Sequence, residues 1–331
     1  MTDLHKEFQD YYEEIRLTAA KRTSLKDSRE ANRNRIRKHF KDVLKKPVPK
    51  FHGQGSYMMK TNVNHLADGE YDIDDGVYLQ GLGTDESQWP SSEEVHGWVY
   101  DAVKDATDDV TDKPNCVRVR YARNYHIDLP IYALDAVDQP KIFKKKKDPE
   151  LSDPRAFTDW FTTQVSNKGD QIRRIVRYLK GWRDFKGGNS RIASGVALTV
   201  LACNHYVARE RDDEALVETV KAMVNYLSLS TSMHVYKPTV NYDCLSCSWT
   251  AAQRRDFISA LEKLRDKGQD ALDEEERSTA SGIWRKLFGE RFPEVKEEDA
   301  SSKSSPATPI KTPRSHTLPS GSERSASDRS A

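Results

Sequence analysis

The chain has 331 residues, enough for one large domain or two interlocked ones. Its 53 lysines and arginines balance 52 aspartates and glutamates, so no global field draws it to nucleic acid or to anionic lipid. Hydrophobic residues make up 36% and charged residues 32%, and no run approaches the ~18 apolar residues of a membrane helix, so a soluble protein with a modest core is expected.

The opening stretch, MTDLHKEFQDYYEEIR, is acidic and amphipathic, unlike a secretory leader. Leu4, Phe8, Tyr11, Tyr12 and Ile15 fall on one helical stripe. Ile36, Phe40, Val43 and Leu44 repeat the pattern until Pro47 and Pro49 stop it, which predicts two helices in the first forty or so residues. From residue 51 to about 136 the apolar period changes to two, interrupted by a helix over 93–106. Residues 116–121 alternate Val117, Val119 and Tyr121 against Arg118 and Arg120, and 125–133 read as one further strand. Beyond KKKKDPE the chain turns helical. Ile172, Ile175, Val176 and Leu179 give one stripe, and residues 192–207 are apolar nearly all round. Leu216 to Leu227 repeat at helical spacing, Thr250 and Gln253 form a capping box ahead of Phe257, and Ile283, Leu287 and Phe288 mark a last helix.

Four cysteines in a chain of this length point to reduced thiols and a cytoplasmic protein. Cys244 and Cys247 make a CxxC without a second pair, so a closed four-ligand zinc site lacks partners and two ordinary thiols are expected. Residues 297–331 hold no aromatic and many serines and prolines, which predicts disorder. The organisation expected is a catalytic lobe over 1–140 including the N-terminal helices, a helical nucleotide-binding lobe over 150–292, and a tail over 297–331.

Chemistry concentrates in GQGSYMMKT and YDIDDGVYL. Strand side chains alternate, so Asp72 and Asp74 share one face while Ile73 points to the core. Adjacent carboxylates repel, and a divalent cation relieves both at once. In YHIDLPIY, Asp128 is a lone carboxylate on an otherwise apolar strand. Three such acids can hold two metal ions ~3.5–4 Å apart, and hard oxygen donors suit Mg²⁺. Gly53-Gln54-Gly55-Ser56, sixteen residues before Asp72, offers a turn whose backbone can approach phosphates.

A Gly-Ser turn, a DxD strand and a third strand aspartate resemble the nucleotidyltransferase fold of poly(A) polymerases and oligoadenylate synthases. QGSYMMKT, YDIDDGVYL and HIDLPIYAL resemble the bacterial cGAS/DncV-like (CD-NTase) cyclic-oligonucleotide synthases over roughly residues 1–290, with the most specific motifs between Gln54 and Asp128. The resemblance implies an α+β fold with a polymerase-β-like mixed sheet and a helical C-terminal lobe. It implies that Asp72, Asp74 and Asp128 are catalytic and bind two Mg²⁺ ions, with Mn²⁺ as a substitute, and that Gln54, Gly55, Ser56 and Tyr57 contact a triphosphate. Lys180 and Ser194, fourteen residues apart, stand where that branch holds donor phosphates, and Arg118, Arg120 and Asp243 stand where it contacts nucleotide or base.

The activity so implied joins ATP and/or GTP, or other nucleoside triphosphates, with release of pyrophosphate into a cyclic di- or trinucleotide. In antiphage (CBASS) systems such a product activates a separate effector. Some members are joined through their last residue, here Ala331, to other molecules by a ubiquitin-transfer-like partner enzyme. Two rival readings remain: a transferase that tails RNA or makes oligoadenylates, and an inactive nucleotide-binding or antitoxin module. The first lacks a long basic track, since only Lys144 to Lys147 and the segment from Arg33 to Lys38 concentrate cations; the second leaves three clustered acids without a purpose.

Overall fold

Helix α1 (His5–Ile15) buries Phe8, Tyr11 and Ile15, and α2 (Ala19–Lys38) begins at Thr18, whose hydroxyl accepts from Lys21 N at 3.3 Å. The computed structural model describes residues 2–66, 70–122, 125–187, 193–229, 234–239 and 241–296, so the expected tail over 297–331 and Ala331 lie outside the described residues. A widened helical turn (His39–Val43) ends the first helical segment before the prolines, as the sequence predicts.

The sheet is built around β2 (Tyr71–Tyr78). β1 (Lys50–Gln54) pairs antiparallel with it along its length, with Gln54 opposite Asp74, and leads into the short helix α3 (Gly55–Met59). The interrupting helix is α4 (Ser92–Val103), capped by Ser91. β3 (Asp109–Asp112) pairs antiparallel with β4 (Val117–Tyr121), and β4 with β5 (Tyr125–Leu129). The sequence suggests one strand over 125–133, but Pro130 divides it into β5 and β6 (Ile131–Leu134). Proline has no N–H for the ladder and its ring restrains the preceding residue. β5 runs parallel to the first half of β2 and β6 parallel to its second half. β7 (Pro140–Ile142) and β8 (Glu150–Leu151) extend the sheet beyond β6. Val77, Val117, Val119, Ile127 and Leu129 point to one face and form a core with Val95, Val99, Ile36 and Phe40 of the covering helices.

The second lobe is helical: α5 (Pro154–Lys168), α6 (Gln171–Phe185), α7 (Gly195–Asn204), α8 (Asp212–Leu229), α9 (Ala251–Asp273) and α10 (Arg277–Phe288). The capping box at α9 forms in both directions, Gln253 N to Thr250 Oγ1 at 3.1 Å and Thr250 N to Gln253 Oε1 at 2.9 Å. α7 is shorter than the apolar pattern over 192–207 suggests and starts after Ser194.

α1 belongs physically to this second lobe, although the chain order suggests the first. Phe8 packs edge-on against Tyr178 and Trp284, with ring centroids 5.1 and 4.8 Å apart, and Tyr178 Oη donates to Phe8 O at 2.9 Å. An amphipathic stripe announces that a face is buried but not against what.

Candidate active site

β2 and β5 create the acidic cluster by register. Parallel pairing sets Asp72 beside His126 and Asp74 beside Asp128, with Ile73 and Ile127 packed on the opposite face. All three expected acids therefore share one side of the sheet. Asp75, the remaining acid of the motif, points the other way and is fully buried. Arg33 of α2 neutralises it with two hydrogen bonds, Nε to Oδ2 at 2.7 Å and Nη2 to Oδ1 at 2.5 Å. This bidentate pair is what permits a charge inside the apolar strand.

The turn between β1 and α3 sits directly over the acids. Gly55 has φ of +70°, and a Cβ there would lie 2.5 Å from Asp74 Oδ2. Only glycine permits both the left-handed backbone and that approach. Gln54 is buried, its Nε2 donating to Tyr132 Oη at 3.1 Å. Ser56 faces the same cavity as Asp72 and Asp74, whereas Tyr57 turns away from it and stacks under Arg22, 5.2 Å from the ring centre.

Burial, with the charges of Asp72 and Asp128 added, raises the Asp74 carboxyl to about 8, against partial relief from Arg118. Three carboxylates on one face cannot all ionise comfortably without a counter-charge. The donor set thus fits a hard divalent cation held by Asp72, Asp74 and Asp128. Arg118 supplies a counter-charge in the protein itself, gripping Asp128 through Nε–Oδ1 and Nη2–Oδ2 contacts of 2.6 Å each. Arg120, two residues on, lies farther from the cluster and pairs with Asp109 at 2.7 Å and Glu70 at 2.8 Å. The structure places it outside the cavity.

A cavity of ≈ 520 Å³ separates this face from the helical lobe, which contributes Lys180, Ser194 and Asp243. Lys180 donates to Thr61 Oγ1 at 3.0 Å, and its stem passes 3.4 Å from where a Cβ on Gly195 would sit. Burial lowers its ammonium to about 8, with Asp72 opposing the fall. Ser194 is the N-cap of α7, accepting from Ala197 N at 3.2 Å, and so stands at a helix start, not inside a dry helix. Asp243 accepts from Asn241 Nδ2 at 2.8 Å on a hairpin that rims the cavity.

Sequence reasoning did not single out Arg183, Lys237 or Phe157, which also line the cavity. Arg183 stands three residues beyond Lys180, one helical turn, a signal available from spacing alone. Cys244 and Cys247, expected as free thiols, are joined in a disulfide because the hairpin holds their Cα atoms 5.5 Å apart. No helix among the described residues is long and apolar enough to cross a membrane.

The family described as cyclic GMP-AMP synthase DncV-like, nucleotidyltransferase domain, matches residues 49–132, and that described as cyclic GMP-AMP synthase, C-terminal domain, matches residues 169–298. A cyclic GMP-AMP synthase of Escherichia albertii is 25% identical over 291 residues, covering 84% of this chain and 63% of that protein, so the chain spans under two thirds of that relative's length. A cyclic AMP-AMP-AMP synthase of an Acinetobacter species is 26% identical over 148 residues, 43% of each protein. The crystal structure of Vibrio cholerae DncV with the linear intermediate 5′ pppA(3′,5′)pG superposes with a TM-score of 0.71 at 21% identity, covering 86% of this chain and 97% of that one. The shared architecture is the mixed nucleotidyltransferase sheet with a helical C-terminal lobe.

Proposed function

The chain belongs to the cyclic GMP-AMP synthase DncV-like nucleotidyltransferase family, and from that premise we propose that it joins nucleoside triphosphates, ATP and/or GTP, into a cyclic di- or trinucleotide with release of pyrophosphate. The observation that carries this reading is the convergence on one cavity of Asp72 and Asp74, with Asp128 paired beside Asp74, the Gly55-Ser56 turn, Lys180 and Ser194. A cyclic GMP-AMP synthase and a cyclic AMP-AMP-AMP synthase among the relatives leave both ring sizes open.

In this reading the triphosphate of the donor lies against the Gly55-Ser56 turn beside Asp72 and Asp74, and the Lys180 ammonium and Ser194 hydroxyl hold its outer phosphates from the helical side. Two Mg²⁺ ions on the three carboxylates would neutralise charge building on the α-phosphate and on the leaving pyrophosphate. Asp128 accepts the proton of the attacking ribose hydroxyl, and Arg118 keeps its carboxylate aimed. Asp243, which lines the same cavity, reads a base edge in this reading. A second transfer in the same cleft closes the ring. The linear intermediate seen in Vibrio cholerae DncV is the kind of species such a sequence of steps passes through. We further propose that the product serves as a second messenger in antiphage defence, acting in the cytoplasm on a separate effector.

The test is incubation of purified protein with labelled ATP, GTP, CTP and UTP in Mg²⁺, then phosphatase, thin-layer separation and mass spectrometry. Phosphatase-resistant small products are expected. Ladders on added RNA would show a tailing enzyme instead, and no turnover under any nucleotide combination would refute the assignment.

A further inference from the structure

The hairpin that carries Asp243 holds a second donor set of different chemistry. Tyr236 and Cys244 pair as an antiparallel bridge, Leu245 N donates to Val235 O at 2.7 Å, and Lys237 N donates to Asp243 O at 2.8 Å. Val235 N also donates to Ser246 Oγ at 2.8 Å. This register lays His234 against the CxxC. One ring nitrogen of His234 and the sulfurs of Cys244 and Cys247 all lie within 4.8 Å of one another. Ser246 Oγ, 3.4 Å from Nδ1, steadies the ring. Two sulfurs and an imidazole are borderline-soft donors that suit Zn²⁺ and not the hard cation that the carboxylates accept.

The disulfide joining the two sulfurs spans a sequence separation of three. A loop that short constrains the unfolded chain little, so the bond is a poor staple for the fold. Cys247 is exposed and open to a reductant, while His234 and Cys244 are half-buried and held by the hairpin. We propose that the disulfide is one of two states of this hairpin, and that in the other His234, Cys244 and Cys247 bind one Zn²⁺ whose fourth position faces solvent. A dithiol reductant gives two electrons and two protons to the S–S bond, leaving two thiols and becoming a disulfide itself. Zn²⁺ then binds both sulfurs as thiolates, and the two thiol protons leave to solvent. Asp243 and Leu245, the chain neighbours of Cys244, line the nucleotide cavity, so exchanging the bond for a metal acts on the cavity wall.

The full chain is reduced with dithiothreitol, desalted without oxygen, and loaded with Zn²⁺ or Co²⁺ in excess Mg²⁺ to keep the carboxylates occupied. Bound metal is then measured by mass spectrometry, and sulfur-to-cobalt charge transfer by absorption. One zinc per chain is expected for the reduced protein and none for the disulfide form. Binding should vanish in Cys247→Ser and weaken about tenfold or more in His234→Ala. Zinc no higher in reduced wild type than in its oxidised form or in Cys247→Ser would overturn the proposal, as would unweakened binding in His234→Ala. The comparison of reduced with oxidised wild type needs no variant to fold, and neither result depends on nucleotide turnover.

Discussion

Asp74→Asn isolates the electrostatic cost of the acidic cluster. Because the folded carboxyl titrates at about 8 and the unfolded one near 3.8, ionisation opposes folding. The penalty is absent below about pH 3.8, grows as pH rises through the window, and is complete above about 8. At 1.36 kcal/mol for each pH unit, a rise of roughly four sets a ceiling of about 6 kcal/mol. The side chain keeps an opening to solvent through the cleft, so screening reduces the expected effect to about 1–3 kcal/mol. Asparagine keeps the shape and removes the charge. Urea unfolding with EDTA should therefore give equal stabilities near pH 4 and a variant more stable than wild type by about 1–3 kcal/mol at pH 8.5. Adding Mg²⁺ should stabilise wild type and narrow the gap, because the ion binds only the folded cluster. A difference that stays constant with pH, or a variant that is the less stable at pH 8.5, would refute the electrostatic account of the site.

Gly55→Ala should lose about 1–2 kcal/mol of stability from the left-handed backbone and roughly 100-fold in kcat as the new methyl pushes Asp74 aside, measured by thermal melts and turnover together. Lys180→Ala should raise KM for triphosphate about 10- to 100-fold, matching a charge-assisted bond of ~1.5–3 kcal/mol. It should also abolish the loss of affinity expected in wild type above about pH 8, where this ammonium discharges; an unchanged KM would make the lysine structural. Arg33→Ala strands the fully buried Asp75 charge and should destabilise the fold by about 3–5 kcal/mol, read from denaturant midpoints.

The face shared by Asp72 and Asp74 is legible in the sequence because strand alternation is a local rule, and Ile73 between them fixes which side is dry. Asp128 was recognisable for the same reason. What remained hidden is non-local. The answer to Asp75 lies in Arg33, 42 residues upstream on a helix whose own charge pattern looks like a solvated face. The break at Pro130 was readable in principle, but the apolar run around it masked it. Arg118 and Arg120 look equivalent on β4, yet register gives the first to Asp128 and leads the second to Asp109 and Glu70. The start of α7 was misplaced because Ala193 continues the apolar composition without continuing the helix.

The placement of α1 sets an order for biosynthesis. Phe8 has one aromatic partner on α6, Tyr178, but its others lie on α10 and at Phe292, and Glu7 pairs with Arg277 across 270 residues of chain. At the ~5–20 residues per second of translation, the apolar stripe of α1 waits roughly 15–55 s after its own synthesis before the surface that covers it is complete. The sheet lobe has its core residues in hand much earlier. An arrested or truncated nascent chain can thus shape the acidic strand pair but cannot close the helical wall opposite it, so a half-made protein holds the carboxylates without a finished cleft.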